Sequence, residues 1–259
     1  MAVIYSADFI DLGTITSRTE ASGYSDDNVA DKWRLKRRFR AGDNNTNDWL
    51  LKFNLGSAKS VAAIVLLDVN FDTVQFQGHA SDSWGAPSYE SSELTVSQNK
   101  LTGRYNIYAT IGETYQWWRI FIPSGASAVG SYTSKWEVGT VAILDSATEF
   151  TRNISYGYTR SAEDAIKEIK LPHGGVEAVD IGGGVLKWIG EFEWENIQET
   201  NEDEVWALGR QGRAAPLIWY ENDGDTSQVY CCRRATNFTG TIQGYNQRST
   251  SIIRLEELI

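Results

Sequence analysis

The sequence has few of the residues that carry most covalent and metal chemistry. Among its 259 residues are two histidines and two cysteines, Cys231 and Cys232, which are adjacent. There is no CxxC pair and no Cys/His cluster, which argues against a zinc site. A disulfide between neighbouring residues strains the backbone, so we expect free thiols. On a strand, one thiol would point to the core and the other away from it.

Long apolar runs are also missing. No stretch approaches the ~18 apolar residues of a membrane span. The N-terminal MAVIYSADFIDL lacks the basic segment and apolar run of a secretory signal. We therefore expect a protein that is made in a cytoplasm and does not insert into membranes. The formal net charge of −10 at pH 7 repels phosphate backbones, so nucleic-acid specificity is not expected.

The chain is rich in strand patterns and in tryptophan, of which it has 10. Apolar runs and alternations, separated by Gly, Ser and Asn, have the spacing of an antiparallel sandwich. Their order over residues 25–148 resembles the discoidin-like, or galactose-binding-like, jelly roll. We predict a mainly β fold, with a jelly-roll β-sandwich at 1–148 and a smaller β-barrel-like domain with one short helix at 149–259. The predicted sandwich strands are 49–55, 61–69, 74–79, 104–111, 115–122 and 138–144.

The second domain contains the helix, which we predict over residues 200–212. Thr200 can cap it, with Asp203 as a weak capping-box partner. Acidic residues 202–204 fall in its first turn, where the helix dipole favours negative charge. Two short apolar runs, LIWY at 217–220 and VYCC at 229–232, then flank the polar turn NDGD, which predicts a hairpin.

This order of helix, PLIW, DG and VYCCR resembles the C-terminal half of tail-tip proteins (distal tail or minor tail proteins) of long-tailed bacteriophages. The resemblance implies a structural virion protein rather than an enzyme, assembled in the host cytoplasm. It implies a homo-oligomeric ring, expected to be a hexamer, at the distal end of the tail tube. Tail tube and hub proteins would be its partners, and the jelly roll would project toward host-surface glycans or the baseplate.

The residues also allow other function classes. The alternative is a stand-alone carbohydrate-binding module protein of a polysaccharide-degrading system. Aromatic rings stack on sugars, while Asp, Asn and His bind hydroxyls, so the candidate glycan site lies in two loop regions. Its residues are Trp84, Tyr89, His79, Asp82, Asp43 and Asn45. A third class, a glycosidase, would need close carboxylates in one cleft, and Glu193 is the residue to test.

No enzyme motif supports catalysis: GxSxG, the P-loop and HExxH are all absent. We expect no cofactor and no metal, with a structural calcium among Asp26, Asp27 and Asn28 as an alternative. Assembly contacts are the remaining candidates. A basic segment at 32–40 forms a charged edge strand or a docking strip for an acidic neighbour, with nucleic-acid contact as a further alternative. The candidate interface residues are Arg34, Lys36, Arg37, Arg38, Glu191, Glu193, Arg210 and Arg213.

Overall fold

The computed structural model groups the chain into two compact units. It describes residues 2–32, 37–130, 134–151, 154, 158–164, 166–170, 176–180, 186–195, 197–198, 201–222, 224–244 and 247–258. Unit 1 comprises Met1–Asn99, Arg104–Glu149 and Leu217–Cys231, and unit 2 comprises Lys100–Gly103, Phe150–Pro216 and Cys232–Ile259. The chain first passes from unit 1 into a long stretch of unit 2 after Glu149, next to the boundary predicted at 148/149, but it later returns to unit 1.

Among its described residues, the N-terminal part of the chain contains strands and the 3-10 helix Asp26–Ala30. The strands are β1 (Ala2–Ser6), β2 (Thr14–Ser17), β3 (Phe39–Arg40), β4 (Asp48–Val69), β5 (Thr73–His79), β6 (Tyr89–Glu90), β7 (Leu94–Thr95), β8 (Ser97–Gln98), β9 (Tyr105–Ile122), β10 (Glu137–Leu144) and β11 (Thr148–Glu149).

The rest of the chain contains the helix α1 (Glu202–Arg210) between further strands. These are β12 (Thr159–Asp164), β13 (Ile166–Lys170), β14 (Val176–Asp180), β15 (Leu186–Phe192), β16 (Leu217–Asn222), β17 (Val229–Arg234), β18 (Gly240–Gly244), β19 (Gln247–Thr250) and β20 (Ile253–Glu257). The prediction of a mainly β fold with one short helix is confirmed.

Two long strands, β4 and β9, form the antiparallel ribbon at the centre of unit 1. The sequence predicted two strands in place of each. Gly56 and Gly112 explain the difference: their φ angles of 76° and 75° let the backbone turn inside the ribbon without ending it. The pairing shifts register between Asn54 and Lys59 and then continues.

The turn in the ribbon gives a β-sandwich. The first half of β4 and the second half of β9 pair with β2 and β5, whereas the other halves pair with β10 and β8. Apolar side chains from both halves meet in one buried cluster, which includes Phe53, Leu66, Phe76, Trp118 and Val138. The two halves are therefore the two layers of one antiparallel sandwich, as the sequence predicted.

The predicted hairpin is present as β16 and β17, and its residues through Cys231 belong to unit 1. β16 pairs along the whole of β1. Tyr220 stacks on Tyr108 of β9 with ring centroids 4.2 Å apart, and burial together with this neighbour raises the pKa of Tyr108 to about 12. The buried Asn106 side chain accepts from the Asp68 N–H at 2.9 Å and donates to the Val229 carbonyl at 3.1 Å.

Unit 2 is built from small antiparallel pairings. β15 lies between β12 and β20, β20 also pairs with the end of β17, and β13–β14 and β18–β19 form separate two-stranded ribbons. The pairings among the described strands do not close into a ring. The barrel-like part of the prediction is therefore corrected to a set of open sheets.

The helix α1 is shorter than predicted. Its N-cap is Asn201, which makes no side-chain cap bond, and Thr200 lies outside the described residues. The acidic first turn is as predicted, and Glu204 in that turn accepts from the backbone and the hydroxyl of Thr151. Val205 and Leu208 are buried. No helix in the described part of the chain is long and apolar enough to cross a membrane.

The two cysteines, both among the described residues, form no disulfide, and both are buried. The prediction that one of them is exposed is wrong. Four successive residues, Val229–Cys232, are buried, so this part of β17 is covered on both faces.

We predict that Asn106→Leu lowers the free energy of unfolding by about 2–4 kcal/mol, because the Asp68 N–H and the Val229 carbonyl both lose a buried hydrogen bond. Urea unfolding of the full chain measures this. The control is Asn45→Ala, at an exposed position, with an expected change of at most about 0.5 kcal/mol. Equal stability of Asn106→Leu and the wild type would refute the role of this contact.

Candidate functional site

One face of the first sandwich layer is unusually rich in partly exposed aromatic rings. On β9, Trp118 and Ile120 point into the core, so Trp117, Arg119 and Phe121 point to the opposite face, where all three are half-buried. The alternation follows from strand geometry alone. It leaves two large aromatic side chains and a guanidinium on the outside of the sheet.

Neighbouring strands extend this face. Residues paired across strands share a face, which gives three rows: Trp49–Phe121–Gln75, Lys52–Arg119–Gln77 and Asn54–Trp117–His79. Apart from Gln77, which is buried, these residues are half-buried. We call the set of half-buried side chains the platform: Trp49, Lys52, Asn54, Gln75, His79, Trp117, Arg119 and Phe121.

The loop after β5 adds a further ring to the platform. The Arg119 guanidinium carbon lies 4.4 Å from the centre of the Trp84 ring and 5.5 Å from that of Phe121. The His79 and Trp84 ring centres are 6.1 Å apart. A guanidinium within about 6 Å of a ring face is attracted by it. Arg119 therefore holds the Trp84 loop against the sheet.

Asp82 fixes the same loop from the other side. The Lys52 Nζ lies 3.0 Å from each carboxylate oxygen of Asp82, and the Trp84 indole N–H donates to the carboxylate. Desolvation raises the pKa of Asp82, but the hydrogen bonds from Lys52 and Trp84, with the charges of Lys52 and Arg119, outweigh it and lower the pKa below its usual value. Asp82 is therefore an anion at neutral pH.

Arg119 is held in place by the buried Gln77. Its Nε donates to the Gln77 side-chain oxygen, and Gln77 in turn donates to Glu90. Burial lowers the pKa of Arg119, and the nearby carboxylates Glu90, Asp48 and Asp82 partly offset this. The guanidinium stays charged at any ordinary pH. The platform therefore carries fixed donors and acceptors between its rings.

The structure brings together three of the six predicted glycan residues, His79, Asp82 and Trp84. Tyr89 is not with them: it pairs with Gly78 on the core-facing row and packs edge-on against Trp118 with ring centres 5.7 Å apart. Burial raises the pKa of its phenol. Strand alternation thus separates Tyr89 from the platform, which a reading of the loop as one unit had missed.

Asp43 and Asn45 lie in a different loop. Asp43 is ion-paired with Arg18, which also reaches Asp48 at 3.4 Å. The Asn45 backbone carbonyl accepts from the Trp136 indole at 2.8 Å. Neither residue belongs to the platform as defined above, and a glycan role for them stays a prediction.

Sequence reasoning missed most of the platform, although a signal was present. The segment YQWWRIFI alternates, so Trp117, Arg119 and Phe121 fall on the face opposite Trp118, Ile120 and Ile122. The predicted glycan site comprises loop residues and strand ends, whereas these side chains lie on the face of the sheet. A strand segment that carries aromatic residues on both of its faces, as this one does, indicates that the outer face of the sheet is a candidate binding surface.

In the basic segment, the structure shows ion pairs of Arg38 within the chain, and the predicted docking role stays a prediction. Arg34 and Lys36 lie outside the described residues, and among the described residues of the segment 32–40 the strand is Phe39–Arg40. Arg38 binds Asp68 at 2.7 Å and Glu137 at 3.2 Å within its own chain. Glu137 is 2% exposed and needs cations beside it. Arg37 is exposed, and its interface role stays a prediction.

The other assembly candidates lie in unit 2. Glu191 is ion-paired with Arg254 at 2.9 Å, so it is engaged within the chain. Glu193 lies just beyond the end of β15 and is half-buried, while Arg210 and Arg213 are exposed. Their interface role is likewise untested.

The residues predicted as an alternative calcium site lie in the 3-10 helix Asp26–Ala30. Asp26 accepts a hydrogen bond from the Ser17 N–H at 2.8 Å. Among the described residues no group of three or more His, Cys, Asp or Glu side chains is placed to hold a metal.

Comparison with known proteins gives structural matches alone. No family model and no curated protein matches the sequence. A solved structure of chitosan-binding module 2, in complex with chitotriose, from a chitosanase/glucanase of Paenibacillus sp. IK-5 is 15% identical; the match covers 52% of this chain and 99% of that chain at a TM-score of 0.37.

Two further solved structures are similar at the same level. Chitosan-binding module 1 of the same enzyme is 16% identical, with 53% of this chain and 97% of that chain covered at a TM-score of 0.36. A family 89 glycoside hydrolase from Clostridium perfringens, in complex with 2-acetamido-1,2-dideoxynojirmycin, is 10% identical; 52% of this chain but 14% of that chain is covered, at a TM-score of 0.36. The structural neighbours thus include carbohydrate-binding modules, and the platform is interpreted from its own geometry.

We predict a pH-dependent position for Trp84. The ionised Asp82 carboxylate stabilises the position of Trp84. This stabilisation is present above the usual Asp pKa of about 3.9 and is lost as the pH falls through the lowered pKa of Asp82 in the folded state. The Trp84 indole N–H resonance, assigned with Trp84→Phe, should hold from neutral pH to about pH 4 and shift below it.

In Asp82→Ala the same resonance should be shifted at every pH, with at most about 1 kcal/mol lost in global stability because the ion pair is exposed. The Trp136 indole, which donates to a backbone carbonyl, is the control that should not titrate. Identical Trp84 signals in both proteins would contradict the assigned contact.

Proposed function

We propose that this chain binds an extended, neutral glycan along the platform and does not hydrolyse it. The observation that carries the proposal is the interleaving of partly exposed rings with fixed polar side chains on one sheet face. Trp49, Trp117, Phe121 and the loop residue Trp84 supply the rings. Lys52, Gln75 and Arg119 lie between them.

The chemistry of sugars suits such a surface. A pyranose has apolar C–H faces and a rim of hydroxyls, so it is recognised by flat aromatic rings with hydrogen-bonding groups at their edges. The half-buried state of the rings means that each keeps part of its surface in water. Covering that surface with the C–H face of a sugar gains apolar burial at about 25 cal/mol per Å².

The spacing of the rings favours an oligosaccharide over a monosaccharide. Trp117 and Phe121 are four residues apart on β9, which corresponds to about 13 Å at 3.3 Å per residue. Trp49 pairs with Phe121 and so lies in the far row. A ligand that touches both ends must therefore span several sugar rings.

The polar side chains are held before any ligand arrives. Lys52 and Trp84 are tied to Asp82, and Arg119 is tied to Gln77 and stacked on Trp84. Fixing these rotamers in advance lowers the entropic cost of binding, by about 0.5–1.5 kcal/mol for each side chain that is already immobile.

The same contacts argue for binding rather than hydrolysis. A glycosidase acid needs a carboxyl group whose pKa is raised so that it can donate a proton. The pKa of Asp82 is lowered by Lys52, Trp84 and Arg119 despite some desolvation. Glu90 is bonded to the buried Gln77. Asp48, the third carboxylate near Arg119, lies 3.4 Å from Arg18, so all three carboxylates have structural partners.

The test is calorimetric titration of the full chain with neutral oligosaccharides of increasing length, and with Trp49→Ala and Trp117→Ala variants. Affinity should rise with length until the ligand spans both rows. Each substitution should weaken binding about tenfold or more, since aromatic contacts of this kind contribute more than 1 kcal/mol. Circular dichroism at the assay temperature should show that both variants remain folded, because both side chains lie at the surface and are half-buried.

Tyr24→Ala is the matched control. Tyr24 is a half-buried aromatic whose ring lies 4.0 Å below the Arg40 guanidinium, so it repeats the platform's chemistry outside the platform. Its variant should bind like the wild type. Absence of binding by folded wild-type protein across the panel, or equal loss in all three variants, would refute the proposal.

The tail-tip ring is a second candidate. The observation that favours it is the succession of α1, β16 and β17, which follows the order of the resemblance. It would place the protein in a virion tail, among copies of itself. Light scattering across a concentration series, at low and moderate salt, should then give a hexamer or a growing ring.

Arg37→Glu should weaken such assembly, because Arg37 is an exposed charge of the candidate interface, while the melting temperature should not change. A monomer at every concentration would contradict self-assembly. It would leave the glycan proposal intact, since the platform lies within one unit of one chain.

A further inference from the structure

Unit 2 has a positively charged pocket that no part of the glycan proposal uses. Its volume is about 420 Å³, and it is lined by Arg213, Ala214, Arg233, Arg234, Ala235 and Glu256. Three of the six lining residues are arginines. This concentration of positive charge occurs in a chain whose net charge is −10.

Arg234 is the most buried of the three, at 7% exposure. Its Nη2 donates to the carbonyls of Gly209 at 3.1 Å and Gln211 at 2.8 Å, at the C-terminal end of α1. These carbonyls lack helical partners and carry the negative end of the helix dipole. The Arg234 Nε is buried without a hydrogen-bond partner in the described part of the chain. Backbone dipoles, rather than carboxylates, surround this charge.

Arg213 adds a second cation beside it. Its guanidinium donates to the Ala235 carbonyl and to the Asn237 side chain, and among the described residues it forms no ion pair. Burial lowers the pKa of Arg234, and the charge of Arg213 lowers it further. The two guanidinium groups therefore repel each other across the pocket wall.

The carboxylate that lines the pocket is already shared among other cations. Glu256 accepts from Lys187 at 3.0 Å and from Arg254 at 3.1 Å, and Arg233 is 3.6 Å away. Desolvation raises the pKa of Glu256, but Lys187 and Arg254 outweigh it and lower the pKa. Glu256 is thus engaged by other cations, of which Arg254 also pairs with Glu191 and Glu163, and among the described residues no ion pair joins it to Arg213 or Arg234.

We propose that this pocket binds an oxyanion, a sulfate or a phosphate group. Guanidinium groups present planar, forked N–H donors that match the oxygen atoms of such groups and stay charged at all working pH values. An anion between Arg213 and Arg233 would relieve their repulsion with Arg234. The site is a different one from the platform, and it does not depend on the glycan proposal.

The test is titration calorimetry of the full chain with sodium sulfate and with sodium phosphate, at an ionic strength held constant with sodium chloride. Saturable binding of one stoichiometric anion is expected. Arg213→Gln should weaken it about tenfold, the loss expected for one charge-assisted hydrogen bond. Arg233→Gln, at a side chain that is 47% exposed, should do the same and guards against misfolding of a single variant.

Arg210→Gln is the matched control, because it removes an equal charge from the exposed end of α1, outside the pocket. It should bind like the wild type. No saturable binding, or wild-type affinity in both pocket variants, would overturn the proposal. A monosaccharide sulfate that binds more tightly than inorganic sulfate would show that the oxyanion belongs to a sugar, and equal affinity would show that the free anion is the ligand.

Discussion

The turn inside the β4–β9 ribbon is the constraint on which the rest of unit 1 depends. β4 has 22 residues and β9 has 18, so a straight β4 would be about 70 Å long. One protein core cannot cover a straight strand of that length. The positive φ angles at Gly56 and Gly112 let the ribbon turn, and the apolar faces of its two halves then form one core. The outer face of the first half remains at the surface, and this face is the platform.

The outer face of the second half is covered instead, because β1, β16 and the part of β17 through Cys231 lie on that side within unit 1. Val61–Val69 is accordingly buried on almost every residue. Burial on both faces leaves polar groups away from water, and such groups need partners. The Asn106 side chain forms hydrogen bonds with two of these groups, and Glu137 forms ion pairs with Arg38 and Arg40. Two arginines of the basic segment, Arg38 and Arg40, thus neutralise a buried carboxylate of their own chain. Breaking a buried ion pair costs about 3–5 kcal/mol, so these contacts stabilise the fold.

The sequence predicts what local periodicity determines and misses what distant register determines. β5, β10, the β16–β17 hairpin and the helix α1 lie close to their predicted positions because each has a local period or end signals. The merging of two predicted strands into β4 was missed, since a glycine inside a strand pattern signals equally an end or a bend. Trp49, Lys52 and Trp117 were missed because their common face is defined by pairing between strands. Tyr89 was misplaced by the same cause, as its neighbour Gly78 puts it on the core side.

Arginine and its surroundings distinguish the ligands that we propose for the two sites. On the platform, Arg119 has Glu90, Asp48 and Asp82 close enough to stabilise its charge, and it uses its flat face to hold Trp84. A ligand there meets a charge that is already balanced, so affinity must come from ring stacking and hydroxyl contacts, which a neutral sugar offers. In unit 2, Arg234 faces carbonyl dipoles and the repulsion of Arg213, while Glu256 is shared among other cations. There the missing component is negative charge. An arginine that is surrounded by acids therefore predicts a neutral ligand, whereas an arginine without such neighbours predicts an anionic one.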